Sequence, residues 1–288
     1  MEQCVRKAYA KINLGLDVIG RLENGYHEVK MIMQNVGIYD VLTLTKIPEG
    51  IVVTTDNGEL PTDDNNLIYK AAKLMLENYN ISQGVQIHLE KNIPIAAGMA
   101  GGSTDAAATF WGMNELFSLG LPEEKLREIG VKVGADVPYC IMGGTALAEG
   151  IGEKLTRLPD APDCCLLVAK PDINVSTKYV YEHLDAEGVE EHPDIDGMME
   201  AIYQGNLEGI VDRLGNVLEV VTVKKYTIIE DIKKEMLSFG TMGSLMSGSG
   251  PTVFGIFEKE EDAKKAMEHI KESGLAKQVF VTGFCNGK

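Results

Sequence analysis

Apolar and polar residues alternate along residues 5–18. Ala8, Ala10, Ile12, Leu14, Leu16 and Val18 fall on one face, and Lys7, Tyr9, Lys11, Asn13 and Asp17 on the other. A period of two is that of a β-strand, so this stretch predicts a strand with one buried and one polar face. Arg21–Gly25 turns the chain, and Asn24-Gly25 is a hairpin signal. Further strands are expected near 35–46 and 50–55. Asp63 or Asp64 then caps a helix through Leu67, Ala71, Leu74 and Met75. Val85, Ile87 and Leu89 alternate again, whereas Ala106, Phe110, Met113 and Phe117 recur at helical spacing, so this region reads as strand, loop, helix. Pro122-Glu123-Glu124 opens another helix with acids in the first turn, where the helix dipole favours them. That helix runs into Gly134-Ala135-Asp136-Val137-Pro138. Gly143-Gly144 and Gly150-Ile151-Gly152 mark a turn-rich passage, and residues 164–169 form a buried strand. Helices are expected around 177–184, 195–204, 207–214 and 226–238. A loop, Ser247-Gly248-Ser249-Gly250-Pro251, precedes a strand over 252–257, a helix over 261–273 and a strand over 278–283, a βαβ-like end. The pattern is that of an α+β protein in two lobes, 1–157 and 158–288, with the site expected between them.

Composition narrows the class. A chain of 288 residues with 44% hydrophobic and 24% charged residues is globular rather than disordered. Its net charge of −16 gives no general attraction for nucleic acid or an anionic membrane, so neither is an expected partner. No apolar run is long enough to span a bilayer, and Met1–Lys7 lacks the apolar core of a signal peptide. Five cysteines without a C-x-x-C pair read as reduced thiols in a cytoplasmic protein, not as a zinc site or a disulfide framework.

The chemistry concentrates in Pro94-Ile-Ala-Ala-Gly98-Met-Ala-Gly101-Gly102-Ser103-Thr104-Asp105-Ala-Ala-Ala108. Gly98, Gly101 and Gly102 are expected at positive φ, close to a ligand. Ser103 or Thr104 is expected at the N-cap, which would aim free N–H groups and the helix dipole into the loop. That is an anion site, and phosphate is the usual anion. The loop is neither a Walker A loop, having no Gly-Lys-Ser/Thr, nor a Rossmann fingerprint, whose glycine spacing differs. In so acidic a chain the local positive field has to come from backbone N–H groups, a few lysines and a metal. Lys11, beside Asn13 on the polar face of the first strand, and Asp136, in its glycine-flanked turn, suit phosphoryl transfer. A carboxylate can take a hydroxyl proton, and an ammonium can stabilise developing alkoxide and phosphoryl charge.

The loop resembles the second motif of the GHMP kinases (galactose, homoserine, mevalonate and phosphomevalonate kinases), Pro-x-x-x-Gly-Leu-Gly/Ala-x-Gly/Ser-Ser-Ser-x-Ala. Here Met99 replaces the usual Leu and Thr104 the second Ser. Ala10–Leu14, Asn24–His27, Gly134–Pro138 and Ser247–Pro251 are similar, in the same order, to the branch of that family whose acceptor is a cytidine diphosphate methylerythritol. The resemblance implies a two-lobed GHMP kinase fold. Its N-terminal lobe would be like the second domain of a small-subunit ribosomal protein, and its C-terminal lobe a ferredoxin-like α/β unit. It implies ATP, with Mg²⁺, as the phosphoryl donor, and Lys11 and Asp136 as the catalytic pair. ATP would be bound by Pro94, Ala96, Gly98, Met99, Ala100, Gly101, Gly102, Ser103 and Thr104, with Asn66 near the adenine. The acceptor would meet Asn13, Tyr26, His27, Tyr181, Gly248 and Ser249, with Tyr179 the alternative to Tyr181 for stacking on cytosine. The loop at 247–251 would close over the acceptor's diphosphate or support the phosphate loop. Glu90 and Asp105 stand open as Mg²⁺ ligands, and Asp105 is equally explained as a first-turn acid. Two other readings remain: a homoserine- or mevalonate-type kinase, which should lack Gly25-Tyr26-His27, and a non-catalytic nucleotide-binding regulator, which would be favoured by loss of Lys11 or Asp136.

Overall fold

The computed structural model describes residues 1–23, 25–185 and 189–286. The alternating first stretch is one long strand, β1 (Gln3–Arg21), paired antiparallel along its length with β2 (His27–Ile47). The turn between them contains Asn24, which lies outside the described residues; Gly25 takes φ 86°. β2 starts well before the expected 35 because it also pairs with a later strand. β3 (Ile51–Thr55), α1 (Leu67–Asn78), β4 (Gly84–Glu90) and α2 (Gly101–Leu116) follow, then α3 (Glu123–Gly130) and α4 (Val137–Met142). The turn-rich passage holds two further strands, β5 (Thr145–Gly150) and β6 (Lys154–Arg157). β5 is a short buried run without alternation, so its period carries no strand signal.

The first sheet has the order β3-β4-β2-β1, with β5 on β2 and β6 on β5. The second begins with β7 (Cys165–Lys170). α5 (Thr177–His183), α6 (Ile195–Tyr203) and α7 (Leu207–Val211) lead to β8 (Gly215–Asn216), a two-residue strand that returns to the first sheet beside β1. α8 (Glu219–Lys225), α9 (Ile228–Ser238), β9 (Gly243–Met246), β10 (Val253–Phe257), α10 (Glu260–Glu272) and β11 (Gln278–Thr282) complete the chain. The periodicity reads neither β8, α8 nor β9. The second sheet runs β11-β7-β10-β9. β10 and β11 both lie antiparallel to β7, one on each side, so β10-α10-β11 is the split βαβ of a ferredoxin-like lobe.

β1 feeds three separate cores. Cys4 and Ala8 pack with α1 and α2 residues such as Ala71 and Phe110. Ala10, Ile12 and Leu14 pack with Leu166, Val168 and Met198. Leu16 and Val18 pack with Leu167, Ala169 and Val180. Register shifts between Tyr9 and Lys11 and between Asn13 and Gly15 coincide with these changes of core, as expected of bulges that bend and re-aim a strand. The expected polar face is a correction to the sequence reading. Lys11, Asn13 and Asp17 are all buried, because that face meets a cavity and the second half of the chain rather than solvent. Among the described residues, no helix is long and apolar enough to cross a membrane.

Candidate active site

The shift at Tyr9–Lys11 builds the floor of the site. Where β1 leaves its ladder with β2, its backbone groups bond elsewhere. The Lys11 N–H donates to Met99 O (3.2 Å), and the Tyr9 carbonyl accepts from Thr104 Oγ1 (2.7 Å). Asn35 Nδ2 donates to the Ala10 carbonyl (3.0 Å). The glycine-rich loop is therefore fastened to the strand on either side of Lys11. Lys11 Nζ donates to Asn13 Oδ1 (2.8 Å), and among the described residues Asn13 Nδ2 has only the Met31 sulfur, a weak acceptor, at 3.2 Å. Asn13 thus keeps donor capacity at the cavity floor.

The loop departs from its expected geometry in an informative way. The left-handed positions are Ala96 (φ 51°), Gly98 (φ 70°) and Ala100 (φ 56°); Gly101 and Gly102 are already helical. Ala100, not Ser103 or Thr104, is the N-cap of α2, and no side chain among the described residues caps it. Thr104 sits inside the helix and spends its hydroxyl on the Tyr9 carbonyl rather than on a cap. The consequence for anions is stronger, since uncapped N–H groups and the dipole face the cavity together. Gly98 is required twice over, by its φ and because an added Cβ would collide with the Ser247 carbonyl. Ser247 Oγ in turn donates to the Gly98 carbonyl (3.1 Å). Met99 is buried in a core and Thr104 faces β1, so neither lines the cavity.

Beneath α2 lies a buried cluster that the sequence did not reveal. Lys91 Nζ pairs with Asp40 and, at 3.3 Å, with Asp105. Asp40 also accepts from the N–H groups of Asn92 (2.6 Å) and Ile93 (2.7 Å). Burial, set against the pull of Lys91, raises the pKa of Asp105 well above the usual carboxylate range, and its Oδ1 has no partner among the described residues. Asp105 is the fifth residue of α2 and is buried, so it is not a solvated first-turn acid. Glu90 is exposed and outside the cavity wall. Among the described residues, no group of three metal-ligating side chains is assembled.

Opposite the loop stands Asp136, partly exposed, at the start of α4. It lines the same cavity as Lys11, but no ion pair joins the two among the described residues. Burial and then the charge of Asp136 push the Tyr181 hydroxyl up to about 12. The Tyr181 ring lies 5.2 Å from that of His27, tilted by 38°. Burial and then Arg21 lower the pKa of His27, which keeps the ring neutral near pH 7. Tyr179 is engaged outside the wall, stacked on His183 at 3.9 Å with Lys225 Nζ 3.5 Å above its ring. Tyr26 is exposed at the rim. One turn along α4, burial raises the Cys140 thiol far above its ordinary range, so it is no nucleophile. Asn66, not Asp63 or Asp64, is the N-cap of α1. Its Oδ1 accepts from Ile68 N (2.8 Å) and its Nδ2 donates to Pro61 O (2.7 Å), which holds it in the wall. Asp63 instead accepts from the Asn65 N–H (3.0 Å).

Pro94, Ala96, Gly98, Ala100, Gly101, Gly102 and Ser103 meet Asn13, Asp136, Tyr181, Gly248 and Ser249 around one cavity of about 1590 Å³. A pocket for a single small ligand is typically roughly 300–1,000 Å³, so this cavity exceeds what one needs. The family model described as GHMP kinases N terminal domain matches residues 66–144, and that described as GHMP kinases C terminal matches 198–275. The chain belongs to the GHMP kinase family. A Lachnospira eligens protein named 4-diphosphocytidyl-2-C-methyl-D-erythritol kinase is 56% identical over 98% of this chain and 98% of its own. A Caldicellulosiruptor bescii protein of the same name is 51% identical over 98% of each. The crystal structure of a 4-(cytidine 5'-diphospho)-2C-methyl-D-erythritol kinase matches 99% of this chain and 100% of its own, with TM-score 0.85 and 31% identity. A homoserine kinase from Cytophaga hutchinsonii shares the fold, with TM-score 0.79 and 21% identity, over 99% of this chain and 96% of its own. The GHMP resemblance and its two-lobed fold hold.

Proposed function

We propose that this GHMP kinase transfers the γ-phosphoryl group of ATP to the 2-hydroxyl of 4-diphosphocytidyl-2-C-methyl-D-erythritol, a step of non-mevalonate isoprenoid synthesis, in the cytoplasm. The observation that carries this reading is one cavity with two differently equipped ends. The uncapped start of α2 supplies phosphate donors, and the His27–Tyr181 ring pair supplies a surface for a base. Residues 1–157 and 158–288 are its two lobes. ATP phosphates lie along Gly98–Ser103, held by backbone N–H groups, with the adenine toward Asn66. Cytosine stacks on Tyr181, and neutral His27 reads its edge, with Tyr26 closing the rim. Asn13 and the loop at Gly248-Ser249 hold the remainder of the acceptor. Asp136 accepts the proton of the attacking hydroxyl. Lys11, kept in place by Asn13, stabilises charge that develops on the transferred group.

Mg²⁺ fits this donor set, because Asp105 Oδ1 is a buried oxygen without a partner among the described residues and lines the cavity with Ser103. Those two residues would hold it with phosphate oxygens, and when bound it neutralises phosphate charge. The test is ADP release with a panel of acceptors: the cytidine compound, its uridine analogue, homoserine and mevalonate. Cytosine and uracil present reversed donor and acceptor groups, and a mispaired buried group costs roughly 1–3 kcal/mol. The cytidine acceptor should therefore be favoured about 10- to 100-fold in kcat/KM. Equal use of both bases, or preference for an acceptor without a base, overturns the assignment.

A further inference from the structure

The loop at 247–251 has a dedicated support that neither its own sequence nor the phosphate loop provides. Asn216, buried at the end of β8, donates from Nδ2 to two carbonyls, Met246 O and Gly248 O, each at 2.8 Å. Its Oδ1 accepts from the Leu218 N–H at 3.0 Å. Two carbonyls on one side and an N–H on the other allow the amide a single orientation. Glu219 Oε1 accepts from the Met246 N–H (2.8 Å), and its other oxygen is held by Lys233 Nζ (2.8 Å). Thr222 Oγ1 donates to the Ser249 carbonyl (3.3 Å). One short stretch, 216–222, thus holds both polar groups of Met246 and the carbonyls of the next turn. β8 in turn pairs with β1 at Leu16↔Asn216, and Val217 N donates to Leu16 O (3.0 Å). The loop is thereby fixed relative to the strand that carries Lys11 and Asn13.

The direction of the Gly248 carbonyl decides what the loop offers a ligand. The Gly248–Ser249 peptide is planar and trans, so its C=O and N–H point in opposite directions. With the carbonyl drawn onto Asn216, the Ser249 N–H is turned away from it, and Ser249 lines the cavity. Among the described residues, neither the Gly248 nor the Ser249 N–H has an acceptor. We propose that Asn216 is a positioning residue that aims the Ser249 N–H at a phosphate oxygen of the acceptor's diphosphate. This rests on the proposed acceptor, and it assigns the Asn216–Thr222 stretch to specificity for the diphosphate rather than for the base.

The test measures dissociation constants of cytidine 5'-diphosphate and of cytidine by calorimetry, with the nucleotide site filled by a non-hydrolysable ATP analogue. Wild type should prefer the diphosphate. In Asn216→Ala that preference should fall about tenfold, the usual effect of losing one hydrogen bond to a charged group. Cytidine affinity and the KM for ATP should stay within about twofold, whereas a general loss of structure would weaken all three. Thr222→Val, nearly isosteric, should lower the same preference by about threefold. It supplies the answer if Asn216→Ala does not fold. A folded variant that keeps the wild-type ratio overturns the role of Asn216. A wild type that binds neither ligand overturns the acceptor assignment instead.

Discussion

Residues 94–102 and 247–251 both turn glycine-rich backbone toward one cavity, and they touch through Gly98 and Ser247. They obtain their shape by different means. The first loop is shaped mainly from within: alternate left-handed residues lead into an uncapped helix, and its outside fastenings are to the neighbouring β1 and to Ser247. The second is shaped from without, by Asn216, Glu219 and Thr222, which precede it in the chain by the whole of α9 and β9 and hold its backbone and that of Met246 with their side chains. A loop that encodes its own conformation is legible as a motif. A loop held by distant side chains shows only its glycines, and the residues that define it look like ordinary caps.

The largest expected effect separates chemistry from both loops. Asp136→Asn fills the same space but cannot take a proton, and should lower kcat by about 10²–10⁴-fold. Because α2 and the loop at 247–251 are untouched, ATP binding measured by calorimetry should remain near wild type. A variant that turns over within a few-fold of wild type removes Asp136 from the chemistry. The next effect tests whether the loops act as one unit. Gly98→Ala forces a side chain onto a left-handed residue, at a cost of about 1–2 kcal/mol, and drives its Cβ into the Ser247 carbonyl. The KM values for ATP and acceptor should then rise together, each by about tenfold or more; a rise for ATP alone would show the loops to be independent. The smallest effect tests how the first loop is shaped. Ala100→Gly relieves the left-handed strain but gains entropy in the unfolded chain, and these terms oppose each other. Stability in urea should move by less than about 1 kcal/mol and kcat by less than about twofold.

Most of the frame was visible in the sequence because its signals are local. The alternation of Ala8 through Val18, the run Val85–Leu89 and the helical spacing from Ala106 each report one element. Lys11 and Asp136 could be marked from the residues, whereas Asn13, His27 and Tyr181 were marked through the family resemblance; all five line one cavity. What escaped depends on contacts between distant segments. The burial of Lys11 and Asn13 reflects what covers β1, not the pattern of β1 itself. Asp63, Asp64 and Asn66 could not be told apart as caps because Asp and Asn both suit that position. Asp40 lies in β2, Lys91 just after β4 and Asp105 in α2, and only the fold joins them. The left-handed alanines, Ala96 and Ala100, carry no signal of their own because glycine is the residue expected at such positions.

The division of β1 among three cores bears on how this protein loses its structure. A cut between the two sheets, after β6 and before β7, would leave Ile12, Leu14, Leu16 and Val18 without the β7 residues they pack on. Neither half could keep the cavity floor. Two sheets would ordinarily suggest two melting events, but one strand of the first packed into cores shared with the second ties their fates together. Heat should remove both in a single cooperative step, so that Lys11 loses its setting only when the whole molecule does.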